Sequence, residues 1–269
     1  MEYLIFTILN FLLIIFLIFF LKNKNFLLDN PKVNDHKLFY TKNTPLAGGI
    51  FFYINFLILL SLYQINYIEL NIVLFSTYIL ILGIFSDIKK NFNPSTRLIL
   101  QVIFVLFIVF FFDIKIQETR IEFLDLLLSN LYFQIFFTSF CILTVLNGFN
   151  FLDGFNAIST GHFLFCFISL FFLSAVLENK NEIFFFRMLL IPFFVFYLFN
   201  ILGKVFLGDN GIYLLSFLLS FMVIKFLSSN NQISPIIAMN FFWYPAFENL
   251  FSILRRYKDR NKLMSPDRK

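Results

Sequence analysis

Residues 2–21 read EYLIFTILNFLLIIFLIFFL, an apolar run of about the length that crosses the hydrocarbon core of a bilayer. No small-residue cleavage site precedes Lys22, so the run reads as a retained span and not a signal peptide. The remainder has the same character: of 269 residues 59% are hydrophobic, only 14% are charged, and 46 are phenylalanine. With a mean hydropathy of +0.83, the chain is a membrane protein and not a large soluble core. Much of the phenylalanine reads as lipid-facing filler. The two cysteines, Cys141 and Cys166, sit inside apolar runs and suggest neither a disulfide framework nor a thiolate metal site.

Further apolar runs at roughly 47–63, 71–86, 98–112, 131–146, 158–177, 183–202, 211–228 and 234–253 predict an all-α bundle of about nine spans. The connections then fall into two sets. One holds 22–46, 87–97, 147–157, 203–210 and the tail after 253. Only Lys115, Arg120, Lys180, Arg187 and Lys225 belong to the other, so the first set carries 16 of the 21 Lys and Arg residues. The positive-inside rule places that set in the cytoplasm, with the N-terminus outside and the C-terminus inside.

Four segments with concentrated polar residues belong to the cytoplasmic set: TKNTPLAGG (41–49), GIFSDIKKNFNPSTR (83–97), NGFNFLDGFN (147–156) and GKVFLGDNG (203–211). Their shared side predicts one site at the cytoplasmic mouth of the bundle. Asp87, Asp153 and Asp209 offer hard oxygens suited to Mg²⁺, which commonly takes one or two carboxylates and completes its shell with water and phosphate oxygens. The glycine-flanked turn at 208–211 opens a span, where backbone N–H groups favour an anion, with Lys204 about one turn earlier. Asp209 reads either as a ligand or as the N-cap of that helix. Asn147, Asn150, Asp153 and Asn156 recur every third residue. On a helix the first and last would stand about 13.5 Å apart, which suits an extended polar ligand such as a nucleotide better than one ion. The other reading is interhelical hydrogen bonding by the asparagines and a turn at Asp153-Gly154. His36, in a basic loop, and His162, just inside a span, read as a loop residue and a helix–helix hydrogen-bonding residue.

Together these stretches resemble the polyprenyl-phosphate N-acetylhexosamine-1-phosphate transferases, integral-membrane enzymes that start lipid-linked glycan synthesis. The likeness runs from about Asp35 to the last residue. HKLFYTKNTPLAGG is similar to the family's basic loop ending in T-P-x-x-G-G, which implies phosphate contacts from Lys42 and Thr44. LGIFSDIKK followed by PSTRLILQ resembles the aspartate pair and the Arg-x-x-x-Gln helix. NGFNFLDGFN is similar to N-x-x-N-F-x-D-G-x-D, implying nucleotide contacts from Asn150 and Asp153, with Asn156 also in the binding site. KVFLGDNG resembles K-x-F-x-G-D-x-G, implying Asp209 as the principal Mg²⁺ ligand with Asp87 nearby, and Lys204 and Gly208 at the substrate.

The resemblance implies a single membrane domain over 1–269 in the inner membrane, using Mg²⁺, a UDP-sugar and polyprenyl phosphate. It is compatible with a homodimer, and no nucleic-acid partner is expected. Asp87, Asp153 and Asp209 are the expected catalytic carboxylates. Three departures stand out. Ser86-Asp87 replaces the usual Asp-Asp, Asn156 replaces a second aspartate, and the chain stops at Lys269 before the family's histidine-bearing loop and final span or spans. A catalytically impaired member with a binding or assembly role is one rival reading. A solute transporter is another, although its site would sit near the bilayer midplane, whereas the acids here fall at helix ends. A CDP-alcohol phosphotransferase shares Asp-Gly but requires residues that this chain lacks.

Overall fold

A computed structural model describes residues 2–29, 43–62, 70–89, 92–152 and 157–258. Lys42, Asp153, Asn156 and His36 lie outside those residues. The elements in chain order are α1 (Glu2–Asn23), β1 (Leu28–Asp29), β2 (Thr44–Pro45), α2 (Gly48–Leu62), α3 (Leu70–Phe75), α4 (Thr77–Ile88), α5 (Pro94–Phe111), α6 (Glu122–Leu128), α7 (Leu131–Leu152), α8 (Ile158–Val176), α9 (Lys180–Ile201), α10 (Gly208–Ser229) and α11 (Ile237–Lys258). The described residues of each apolar run are mainly helical, and among the described residues seven helical stretches are long and apolar enough to cross a membrane. The α2 helix is apolar but shorter. The α11 helix, which carries Glu248, Arg255 and Lys258, is not among the seven. The protein is an all-α, polytopic membrane protein.

Local chemistry sets several boundaries. Asn93 caps α5 by accepting from the Ser95 N–H at 3.0 Å, and Pro94 occupies the first helical position, where a missing N–H costs nothing. Just past the end of α9 at Ile201, Gly203 takes φ +64°. There the Gly203 and Lys204 N–H groups return to the Asn200 and Phe199 carbonyls, a left-handed stop that suits glycine. Ser76 interrupts the 71–86 run, and its hydroxyl donates to the Val73 carbonyl. Helix α7 runs to Leu152, six residues past its apolar core, and Asn147 is accommodated within it by donating to the Leu143 carbonyl one turn back.

The chain divides into two compact units: Met1–Lys90 with Asp153–Leu215, and Asn91–Leu152 with Ser216–Lys269. In the first unit α9 packs between α8 and α2 through an aromatic cluster. Phe52 lies 4.4 Å from Phe193 and 5.1 Å from Phe196 between ring centroids, and Phe167 lies 4.6 Å from Phe193. These rings are fully buried, so phenylalanine is interior packing as well as lipid-facing filler. In lipid, such contacts work through close packing and not through expulsion of water. In the second unit α7 packs against α5 and α11. A Cβ at Gly148 would stand 2.6 Å from the Pro245 carbonyl carbon, which is why the bare backbone is needed there.

Candidate active site

The first unit brings two of the four polar segments into direct backbone contact. Thr44–Leu46 run as a short extended strip ahead of α2: Thr44-Pro45 pairs antiparallel with Leu28-Asp29, and Leu46 forms a parallel bridge with Phe206. The Phe206 N–H donates to the Pro45 carbonyl at 2.9 Å and the Ala47 N–H to Phe206 at 3.2 Å. The N-terminal ends of α2 and α10 are thereby laid side by side.

Onto this strip α4 delivers Ser86 and Asp87. Asp87 Oδ1 accepts the backbone N–H of Asp209 at 2.9 Å, and Oδ2 accepts the backbone N–H of Asn210 at 3.1 Å and its Nδ2 at 2.5 Å. Asp87 is therefore the carboxylate that caps α10. It satisfies N–H groups that the first turn of a helix leaves unpaired. The anion drawn to this glycine turn is the protein's own side chain. Asp209, in the first turn, is instead held by the Ser86 hydroxyl, which donates to Oδ2 at 2.5 Å.

Asn210, part of the glycine-flanked turn but not among the expected site residues, is completely buried at the centre of the cluster. Its Nδ2 donates to the Leu46 carbonyl at 3.1 Å as well as to Asp87, and its Oδ1 accepts the Gly49 N–H at 2.6 Å. No local signal marks it, because all three partners of its side chain come from distant segments. Gly208 adopts φ +70°, and a Cβ there would lie 2.8 Å from Asn210 Nδ2 and 2.9 Å from Asp87 Oδ2. Only glycine combines that left-handed backbone with that contact.

The other candidate residues are placed as follows. Thr44 is buried in the strand pair. Lys204 is exposed, with its ammonium 5.8 Å from the centroid of the Phe199 ring. Asn150 sits half-buried in the last turn of α7, in the second unit. Asn200 is a further residue that the sequence did not reveal. Buried near the end of α9, it donates to the Val205 carbonyl at 2.8 Å and accepts from Thr160 on α8 at 2.9 Å, and so anchors the segment leading to Gly208. Among the described residues no three His, Cys, Asp or Glu side chains gather into a metal-binding group. The donor set is hard oxygen, from the Asp209 carboxylate and the less occupied Oδ1 of Asp87, which is the chemistry that Mg²⁺ takes when water and phosphate oxygens fill its other positions.

Apolar helices and an acidic, glycine-supported cluster at helix ends define a membrane protein with a polar site built from helix termini. A family model described as Glycosyl transferase family 4 matches residues 69–227, more than half of the chain. The chain belongs to that family, whose members are polyprenyl-phosphate sugar-phosphate transferases. The match contains the segments around Asp87, Asn150 and Asp209, while TPLAGG lies outside it yet is hydrogen-bonded to it. A search of curated proteins finds no match.

Proposed function

We propose that this chain transfers a sugar 1-phosphate from a UDP-N-acetylhexosamine to polyprenyl phosphate, releasing UMP, as the first step of a cell-envelope glycan pathway. The single observation that carries this reading is the joining of Asp87 and Asp209, from segments 122 residues apart, into one cluster at the start of α10. A transporter would place such groups near mid-membrane. The proposed setting is the inner membrane, with about nine spans, a cytoplasmic site and an external N-terminus. A homodimer is compatible with it.

Asp209 is the proposed principal Mg²⁺ ligand. A bound Mg²⁺ would supply charge neutralisation at diphosphate oxygens. Ser86 fixes the orientation of the Asp209 carboxylate by donating to one of its oxygens. A carboxylate offers about four acceptor sites, and Asp87 already uses three. Its share of the ion is therefore at most a single oxygen. Asp153, Asn150 and Asn156 are proposed to hold the nucleotide, with Lys42, Thr44, Lys204 and the Gly208 backbone serving the phosphates. The reaction then rests on positioning and electrostatics. A phosphate monoester with a second pKa of about 6 is largely ionised at neutral pH, so the acceptor needs no strong base and Ser86 in place of a carboxylate is tolerable.

The test is incubation of purified protein with Mg²⁺, polyprenyl phosphate and a panel of radiolabelled UDP-sugars. Labelled lipid with at least one sugar is the expected result. Binding of UDP-sugar without labelled lipid from any donor would favour the impaired-member reading instead.

A further inference from the structure

Resting on that reading, we infer that Asn210 is a positioning residue of the metal site, acting through Asp87. The side chain at 210 faces two acceptors, the Leu46 carbonyl and Asp87 Oδ2, and one donor, the Gly49 N–H. Only an amide answers all three. Reversing it would set its oxygen against two other oxygens, and an aspartate would do the same with an added charge. Both Nδ2 protons are spent, one of them on Asp87.

The consequence falls on Asp87. Its Oδ2 takes two donors from Asn210, one from the backbone and one from the side chain, while Oδ1 takes the N–H of Asp209 alone. The remaining acceptor site of Asp87 is thus on Oδ1, the oxygen on the Asp209 side. Asn210 thereby selects which oxygen Asp87 offers to a divalent cation and stops the carboxylate from turning. Because Asn210 also ties TPLAGG to α10, it links the metal-facing acids to the segment proposed to meet substrate phosphate.

The experiment uses Mn²⁺ as a spectroscopic stand-in for Mg²⁺. Its binding is titrated by electron paramagnetic resonance on purified wild type, Asn210→Ala, Asp87→Asn and the double variant. Loss of a residue that orients a ligand typically weakens metal binding by about ten- to a hundredfold. The expected result is a loss of about tenfold for Asn210→Ala, with no further loss when it is added to Asp87→Asn. Wild-type affinity in Asn210→Ala, or losses that simply multiply in the double variant, would overturn the inference. If Asn210→Ala does not fold, Asn210→Ser, which keeps one donor, is read against the same two outcomes. Transfer assays separate this from the broader reading. No lipid-linked product from wild type, with the Mn²⁺ pattern intact, would sink the transferase alone. Normal product with unchanged Mn²⁺ affinity would sink the role of Asn210 alone.

Discussion

The Ser86 hydroxyl donates to Asp209 Oδ2 at 2.5 Å, joining the last turn of α4 to the first turn of α10. A neutral donor stands where a second carboxylate would otherwise face Asp209. Ser86→Ala should cost about 1.5–3 kcal/mol, the range for a hydrogen bond to a charged group. Ser86→Asp should lower the melting temperature of metal-free protein and recover it with Mg²⁺, because a cation offsets the repulsion of adjacent carboxylates. A melting temperature insensitive to Mg²⁺ in Ser86→Asp would show that no ion binds between them.

Asp87 and Asp209 should separate by assay. Asp87→Ala removes the cap of α10 and should cost about 0.5–2 kcal/mol in thermal unfolding. Asp209→Asn should melt near wild type while losing most Mg²⁺-dependent turnover: the amide oxygen still accepts from Ser86, and the weaker bond is offset by relief of the repulsion from the neighbouring Asp87 carboxylate. Equal thermal loss in both would contradict this division of labour.

The apolar runs and the four polar segments were legible in sequence because hydropathy and local composition carry them. The partner of α10's first turn was not. Asp209 read as a possible cap by adjacency, but the cap is Asp87, and nothing local signals a bond between residues 122 positions apart. Asn210 was missed for the same reason: its three side-chain partners, Leu46, Gly49 and Asp87, all come from distant segments. The extension of α7 through Asn150 was hidden differently. Asparagine and glycine favour turns by propensity, and tertiary packing of Gly148 against Pro245 overrides that preference.

Two glycines should respond oppositely to alanine. Gly208→Ala places a Cβ in a left-handed backbone and against Asp87 and Asn210, and should cost at least about 1–2 kcal/mol from backbone strain alone. Gly161→Ala, inside α8, meets Tyr197 at 3.4 Å, an ordinary contact, and should be neutral or stabilise by up to about 1 kcal/mol. Thermal unfolding in detergent reads both. Destabilisation by Gly161→Ala larger than that by Gly208→Ala would contradict the geometry.

Near α6, Asp125 Oδ1 accepts the Thr119 N–H at 2.6 Å and its hydroxyl at 2.7 Å. The hydroxyl and then the backbone donor hold the Asp125 carboxyl below its usual pKa. A lowered folded pKa means that the contribution is complete above the unfolded value of about 3.9 and is lost as pH falls through the folded one. Hydrogen-exchange protection at the Thr119 amide should therefore hold at neutral pH and fall only below about pH 4. Asp125→Asn should show reduced protection already at pH 7, and full protection there would refute the link.

Orientation is tested with single cysteines at the exposed positions Lys89 and Lys180, in a background without Cys141 and Cys166. An impermeant thiol reagent outside intact cells should label only the Lys180→Cys protein. Labelling of Lys89→Cys would reverse the side on which Asp87 lies.

The bond from Asn210 to the Leu46 carbonyl spans 164 residues, and the Leu46 to Phe206 bridge is nearly as long-range. At about 5–20 residues per second, a ribosome needs roughly 8–33 s to travel that distance. The side of the Thr44–Leu46 strip that meets Phe206 and Asn210 must stay without those partners throughout that interval, because they have not yet been made. Biogenesis of the site is thus a late event, completed only when the start of α10 is inserted. Chaperones or proteases that patrol nascent membrane proteins would meet the early helices before any acidic cluster exists.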